Sequence, residues 1–276
     1  MRFETLVWNR TEQVSVDHGR EHGTTPLARL EELAPVDVLV TALPTTTEVG
    51  KIAERLEGVL KEGCTWIDCT SGNPAELGRI AERLRSRGIA LVDAPVSGGP
   101  DGAANGALTV MAGGERSAFE AALPVLRTFG AAIHHLGPVG AGARVKALNN
   151  ALCAMALWST CEALVALERC GIAPGTALEV INGSSGRSHA SETHVPRILD
   201  GDAASAQYGV TLALLEKDVR NAVSVLDEAG SFGPMLRLLS DLYRATSNTS
   251  ERSHGIARVL DTVREGNVEW ATSPER

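Results

Sequence analysis

The sequence predicts an α/β protein in which a parallel-sheet domain precedes an all-α domain. In the first half of the chain, short apolar runs alternate with segments of helical periodicity, a pattern typical of a parallel sheet. Only helical periods follow residue 142, up to about residue 263, and a glycine-rich turn separates the two patterns. These observations place one domain at residues 1–139 and a second, helical domain at residues 140–276.

The predicted strands are the short apolar runs of the first domain. They lie at residues 5–8, 36–42, 65–69, 89–94, 108–112 and 132–136. Helices are predicted at residues 49–60, 74–87 and 117–129. Pro74 suits the first position of a helix that Asn73 caps and Gly88 ends. The polar tail from residue 266 is expected to be frayed.

Composition excludes several classes of partner. The net charge of -8 argues against nucleic acid. No run of about 18 apolar residues lacks polar breaks, so no membrane span or membrane partner is expected. The first twenty residues are polar, and the five cysteines contain no C-x-x-C pair, which favours a cytoplasmic protein with reduced thiols. His189 and His194 are poorly spaced for a metal pair, and no metal site is predicted.

The helix predicted after the glycine-rich turn carries a lysine near its start. Lys146, Asn149 and Asn150 fall on one face of this helix. Residues 151–167 are apolar nearly all round, which predicts a buried helix. A lysine at the start of such a helix needs a partner, or its pKa falls. Lys146 is therefore either a structural ion-pair lysine or a proton-transfer group.

Four loops follow predicted strands, and ligands of open α/β sheets bind beyond the carboxyl ends of strands. These loops are residues 9–11, 43–47, 70–73 and 95–106. In the last of them, Ser97 offers a hydroxyl, and Gly98 and Gly99 offer unobstructed backbone N–H groups. An anion such as a carboxylate suits this arrangement. The alternative is an ordinary glycine-rich connection.

Three groups of residues together resemble one known family. The first is residues 93–99 (Asp-Ala-Pro-Val-Ser-Gly-Gly) with residues 106–111 (Gly-Ala-Leu-Thr-Val-Met) and the glycine pair that follows them. The second is residues 140–150 (Gly-Ala-Gly-Ala-Arg-Val-Lys-Ala-Leu-Asn-Asn), and the third is Lys217 with Asp218. They are similar to the substrate-binding sequence, the catalytic helix and the later Lys-Asp motif of the β-hydroxyacid dehydrogenases. That family includes 3-hydroxyisobutyrate dehydrogenase and tartronate semialdehyde reductase and is related to 6-phosphogluconate dehydrogenase.

The resemblance implies a role for each residue of these motifs. Lys146 would be the general acid/base, and Asn150 would hold the substrate and orient the lysine. The implied substrate-binding residues are Ser97, Gly98, Gly99, Asn149 and Lys217. Oxidation of a β-hydroxy acid needs a group that takes the alcohol proton, and a desolvated lysine can do so. The nicotinamide carries out the redox step.

By the same resemblance the first domain is a Rossmann-like, dinucleotide-binding domain. Leu43, Pro44 and Thr70 would line its cofactor cleft, with Lys217 near the nicotinamide. Asn9, Arg10 and Thr11 follow the first predicted strand, where an acidic residue would bind the ribose of NAD and an arginine accommodates a 2'-phosphate. This position holds Arg10 and no acid, which favours NADP, with NAD possible. The alternative is that Arg10 is a solvated surface arginine.

The chain departs from the family in three places. Thr70-Ser71 reverses the family's usual Ser-Thr order, and Ala107 stands where the family usually has threonine. No glycine precedes Gly19, so the family's first strand and its G-x-G-x-x-G phosphate loop are missing. The strands on both sides of that strand should then lack a partner. Either the chain begins at an internal methionine or it is a degenerate member, and in both cases poor binding of NADP(H) is expected.

Together these features predict an NAD(P)-dependent oxidoreductase that transfers a hydride between nicotinamide and a small β-hydroxy acid or semialdehyde. One alternative is a cofactor-defective, non-catalytic homologue that acts as a binding or scaffold protein. Another is a relative of the imine reductases. The nearly all-apolar helix also suggests that a second subunit covers part of it, in a homodimer or homotetramer. A monomeric sedimentation profile at micromolar concentration would contradict this.

Overall fold

The computed structural model describes residues 3–201, 211–248 and 255–266. The chain divides into two compact units, Met1–Ala143 and Arg144–Arg276. The strands are β1 (Leu6–Val7), β2 (Thr25–Pro26), β3 (Val38–Thr41), β4 (Thr65–Asp68), β5 (Ala90–Asp93), β6 (Val96–Ser97), β7 (Leu108–Ala112) and β8 (Gly130–His135). The α-helices are α1 (Glu12–His22), α2 (Thr46–Leu56), α3 (Pro74–Arg85), α4 (Gly99–Ala104), α5 (Arg116–Leu126), α6 (Ala141–Arg169), α7 (Pro174–Asn182), α8 (His189–Thr193), α9 (Val195–Leu199), α10 (Leu212–Glu228), α11 (Pro234–Asn248) and α12 (Arg258–Glu265).

The first unit is built on parallel strands, as the sequence predicts. Strands β3, β4 and β5 pair in parallel in chain order, and β1 pairs in parallel with β2. Strand β7 pairs in parallel with β8 and antiparallel with the short β6. Within the described part of the chain, β1 and β3 each have a single partner strand. Val40 of β3 is 45% exposed.

Local sequence determines where the helices of the first unit begin. Pro74 starts α3, and Asn73 Oδ1 accepts a hydrogen bond from the backbone N–H of Glu76 at 3.1 Å, as predicted. Helix α2 begins at Thr46, three residues before its predicted start, because the side chain of Thr45 caps it. Residues 95–106, interpreted above as a loop, contain β6 and the short helix α4. Glycine and small polar residues gave no periodic pattern from which these two elements could be predicted.

Each helix packs on the sheet through one apolar face, whose residues recur every three or four positions. Val49, Ala53 and Leu56 of α2 are fully buried, and this spacing places them on one side of the helix. Leu77 and Leu84 of α3 join the same apolar cluster. A second cluster lies between α5 and the strands β4, β5 and β7. These two clusters form the core of the first unit.

The second unit is helical, and its core is the long helix α6. The buried residues of α6 in this core are Ala147, Ala151, Ala154, Leu157, Trp158, Cys161, Leu164 and Val165. The rings of Trp158 and the buried Tyr243 meet edge-on, with 5.3 Å between their centroids. The Tyr243 hydroxyl donates a hydrogen bond to the Ala154 carbonyl oxygen at 3.0 Å. A single bridge between Thr211 and Gly255 is the only β pairing in the described part of this unit. The tail beyond Gly266, expected to be frayed, lies outside the described residues.

Helix α6 is also long and apolar enough to cross a membrane, by length and composition alone, since a stretch of 18 residues within it has a mean hydropathy of 1.4. The sequence interpretation excluded such a segment because of its polar breaks. A single helix of this kind is weak support for a membrane span, since the core helix of a globular domain passes the same test. Contacts with the surrounding helices account for part of this apolar composition, but Leu152 and Val145 of α6 are 64% and 42% exposed.

A buried network of hydrogen bonds connects the carboxyl ends of β3 and β4. Thr41 Oγ1 and Thr70 Oγ1 donate to Asp68 Oδ1 at 2.7 and 2.6 Å. Trp66 Nε1 donates to Thr41 Oγ1 at 2.9 Å. The other oxygen of Asp68, Oδ2, has no hydrogen-bond partner within the described residues. Burial raises the pKa of Asp68 to about 6, and the two threonine hydroxyls oppose this effect.

The raised pKa of Asp68 therefore predicts that the free energy of unfolding depends on pH. Its pKa of about 6 in the folded state exceeds the ordinary value of 3.8, so the folded protein favours the protonated acid. This contribution to stability is fully present below about pH 4 and is lost as the pH rises through about 6. Relative to an Asp68→Asn variant, the wild-type free energy of unfolding should fall by roughly 3 kcal/mol over this window. Urea unfolding at several pH values measures the difference, and a flat difference would contradict the assignment.

Candidate functional site

Lys146 occupies the second turn of α6 and is half-buried. Burial lowers the pKa of its ammonium below the ordinary value of 10.5. The carboxylate of Asp218 opposes this shift, and the ammonium of Lys217 adds to it. A lysine under these influences is closer to giving up its proton at neutral pH than an exposed lysine. This is the condition that a lysine needs to act as a base.

The other predicted residues of the second unit gather around the carboxylate of Asp218. Asn150 Nδ2 donates to Asp218 Oδ2 at 2.7 Å. Lys217 Nζ lies 3.1 Å from Asp218 Oδ1 and forms an ion pair with it. Asn149 Nδ2 donates to Asn150 Oδ1 at 3.3 Å. Both residues of the Lys217–Asp218 pair are largely buried, so the pair is shielded from water.

Asp218 is the site residue to which the sequence assigned no role. It was recognised only as the second residue of the Lys-Asp motif. Its position between Asn150 and Lys217 shows that it holds two other site residues in place. An acid directly after a buried lysine was the one signal for this role, but the partner on α6 lies 68 residues away in the sequence.

In the first unit, Ser97 ends β6, opposite Thr109 of β7. Gly98 and Gly99 follow with φ angles of 132° and 64°, which side-chain-bearing residues rarely adopt. Both glycines are exposed. The Ser97 hydroxyl makes no hydrogen bond with another described residue. The turn thus presents a hydroxyl and exposed backbone, as expected for an anion site.

Asp93 lies four residues before this turn, at the end of β5, and it is fully buried. Its Oδ1 accepts a hydrogen bond from the backbone N–H of Gly140 at 2.7 Å. Its Oδ2 accepts one from the backbone N–H of Ala143 at 2.8 Å. The carboxylate therefore satisfies N–H groups at the start of α6. Asp93 belongs to the first group of residues that resembles the family, but the sequence alone did not indicate this contact.

The predicted cofactor residues form two groups. Leu43 donates its backbone N–H to Thr70 Oγ1 at 3.1 Å, which joins the loops after β3 and β4, and Pro44 follows as an exposed residue. Asn9, Arg10 and Thr11 form an exposed turn after β1, in which the Thr11 N–H donates to Asn9 Oδ1 at 2.8 Å.

Both groups follow the carboxyl ends of parallel strands, where a dinucleotide binds in folds of this class. The Arg10 guanidinium makes no hydrogen bond or ion pair within the described residues. A cation at the end of β1 and backbone turns after β3 and β4 fit a nicotinamide dinucleotide.

Two family profiles together match most of the chain. Residues 1–137 match the NAD binding domain of 6-phosphogluconate dehydrogenase. Residues 140–263 match the NAD-binding family of NADP-dependent 3-hydroxyisobutyrate dehydrogenase.

Curated relatives agree with these profiles. The 2-(hydroxymethyl)glutarate dehydrogenase of Eubacterium barkeri is 37% identical over 214 residues, which cover 76% of this chain and 70% of the relative. The NAD-dependent L-serine dehydrogenase of Pseudomonas aeruginosa is 34% identical over 215 residues, with coverage of 75% and 72%.

Solved structures share the fold. The Mycobacterium tuberculosis 3-hydroxyisobutyrate dehydrogenase, solved with L-serine, has a TM-score of 0.79 at 26% identity and covers 93% of this chain and 89% of its own. An imine reductase of Streptomyces aurantiacus has a TM-score of 0.61 at 18% identity, with coverage of 94% and 90%, which shows a common fold alone. The chain belongs to the β-hydroxyacid dehydrogenase family of NAD(P)-dependent oxidoreductases.

Proposed function

We propose that this protein oxidises a small β-hydroxy acid to its semialdehyde, or catalyses the reverse reduction, with Lys146 as general acid/base and NADP as the preferred cofactor. The observation that carries the proposal is the half-buried Lys146, whose pKa is lowered, in a cluster with Asn150, Lys217 and Asp218. In oxidation, neutral Lys146 Nζ takes the proton of the substrate hydroxyl. A nicotinamide cofactor, when bound, would supply the acceptor for the hydride from the carbon that carries this hydroxyl. In reduction, the Lys146 ammonium returns the proton to the carbonyl oxygen.

Ser97, Gly98 and Gly99 supply the contacts for the substrate carboxylate. The hydroxyl of Ser97 and the exposed turn after it are the part of the first unit suited to an anion. Lys217 adds a positive charge that Asp218 holds in place, and Asn149 and Asn150 offer amide groups to the substrate. Each of these groups suits a carboxylate or another oxygen of a substrate.

The names of the relatives support the same class of substrate. They act on 2-(hydroxymethyl)glutarate, L-serine and 3-hydroxyisobutyrate. Each of these compounds carries a hydroxymethyl group on the carbon next to a carboxylate. We therefore propose a 3-hydroxypropionate with a substituent at carbon 2 as the substrate. The imine reductases support a different reaction less well, because the likeness to them is one of fold alone.

Removal of the lysine side chain tests the central assignment. Lys146→Ala should lower turnover by about two to four powers of ten, the scale of general acid–base catalysis. The control is Lys51→Ala, an exposed lysine on α2 that should leave turnover unchanged. Oxidation of 3-hydroxyisobutyrate and L-serine with NADP+ is measured for all three proteins. Retained turnover in Lys146→Ala would refute the mechanism.

Asp218→Asn tests how the site controls the lysine. The variant removes a carboxylate that raises the pKa of Lys146, so this pKa should fall further. The rising limb of the pH profile for oxidation should then move to lower pH. The sequence contains only four lysines, so NMR of proteins with 13C-labelled lysine can follow each titration. In the control Asp227→Asn, the lost partner is Arg237, and an unchanged Lys146 pKa is expected there. A Lys146 pKa that stays constant or rises in Asp218→Asn would contradict the assignment.

The proposed preference for NADP depends on Arg10. Loss of a charge-assisted contact with the 2'-phosphate amounts to about 1.5–3 kcal/mol. Arg10→Ala should therefore raise the KM for NADP+ by roughly 10- to 100-fold and change the KM for NAD+ little. Arg20→Ala is the control, since Arg20 on α1 already pairs with Asp17 at 3.2 Å. Equal changes for the two cofactors would show that Arg10 does not read the 2'-phosphate.

A further inference from the structure

We infer that Asp93 is a positioning residue for the reaction, because its carboxylate holds the first turn of the helix that carries Lys146. The inference rests on the proposed role of Lys146. Asp93 is 47 and 50 residues away in sequence from the two N–H groups that it accepts, those of Gly140 and Ala143. It therefore connects the end of a strand to the start of a helix, and it is not a local helix cap.

The contact uses the chemistry of a helix N-terminus. The first N–H groups of α6 have no partner within the helix, and they lie at the positive end of its dipole. Each oxygen of Asp93 accepts one of these groups, at 2.7 and 2.8 Å. Because Asp93 is fully buried, water cannot replace either bond. The position of the first turn of α6 therefore depends on this carboxylate.

Two glycines allow the close approach. A Cβ at Gly113 would lie 2.5 Å from Asp93 Oδ1 and 2.9 Å from the Ala141 nitrogen. A Cβ at Gly142 would overlap the carbonyl oxygen of Met111 and would lie 2.9 Å from Asp93 Oδ2. Any side chain at these positions would push the start of α6 away from the carboxylate. The packing around Asp93 is thus specific for one position of this helix.

The same residue is linked to the proposed anion site. The backbone of Asp93 exchanges two hydrogen bonds with Gly113, at 2.9 and 2.7 Å. Four residues later the chain reaches Ser97. A shift of Asp93 would therefore disturb the start of α6 and the segment leading to the anion-binding turn together. This dual connection is why a positioning role follows, and not only a contribution to stability.

Two variants break the contact in different ways. Asp93→Asn keeps the shape of the side chain. The amide NH2 of the asparagine replaces one of the two oxygens, so one backbone N–H faces a donor in place of an acceptor. Gly142→Ala keeps the carboxylate and displaces the helix. The matched control is Ser188→Ala, which removes another helix cap, the hydroxyl of Ser188 that accepts the N–H of Ser191 at 3.1 Å. Thermal unfolding shows which variants fold.

Three readouts are then compared with wild type. Hydrogen exchange reports the amides of residues 140–146, NMR of the four lysines gives the pKa of Lys146, and kinetics give kcat and KM. Both Asp93→Asn and Gly142→Ala should speed exchange at the start of α6, shift the Lys146 pKa and lower kcat by about 10- to 100-fold. The KM for the hydroxy acid should change less than kcat. Ser188→Ala should lower the melting temperature and leave the Lys146 pKa and kcat unchanged.

The outcomes separate the inference from the proposed function. If exchange is faster but the Lys146 pKa and kcat stay at wild-type values, Asp93 only stabilises the fold and the inference is wrong. The inference is also wrong if kcat falls without a change in the Lys146 pKa. If Lys146→Ala retains turnover, the proposed function fails and the positioning role fails with it, although faster exchange would still demonstrate the cap. Should Asp93→Asn not fold, Gly142→Ala decides by the same measurements.

Discussion

The contact between the Asp93 carboxylate and the start of α6 is the constraint that joins the end of β5 to the first turn of this helix. A carboxylate without access to water is costly to bury unless donors replace its hydration. Two backbone N–H groups do so here, yet the balance remains incomplete, because burial still raises the pKa of Asp93 to about 6. The nearby charge of Asp68, its neighbour in register on β4, acts in the same direction. The contact that Asp93 makes with the start of α6 explains why an acid is buried here despite this cost.

The second unit also buries charged groups, and here they are of opposite sign. Two ammonium groups, Lys146 and Lys217, share the influence of one carboxylate, that of Asp218. Lys217 forms the direct ion pair, and burial dominates the environment of Lys146. The two lysines of the cluster therefore lie in different electrostatic environments. Lys217 is paired with Asp218, while burial brings Lys146 closer to the neutral form that proton transfer requires.

The sequence was informative wherever structure follows from neighbouring residues. The apolar run that forms β4, the start of α3 at Pro74 and the shared helix face of Lys146 and Asn150 all depend on local patterns, and the fold class followed from them. The contacts made by Asp93 and Asp218 did not, because they join segments 47 to 68 residues apart. Glycine-rich residues 95–106 also concealed β6 and α4. Motif resemblance identified these regions without revealing which atoms meet.

The open side of β3 has a consequence for how the molecule behaves in concentrated solution. An edge strand presents unpaired N–H and C=O groups that an extended segment of another chain can satisfy. Natural proteins discourage this with lysine, proline or a bulge at the edge. Strand β3, with the sequence Val-Leu-Val-Thr, has none of these residues, and its register with β4 is regular. Among the described residues, β3 therefore keeps one edge with which an extended segment of another chain can pair.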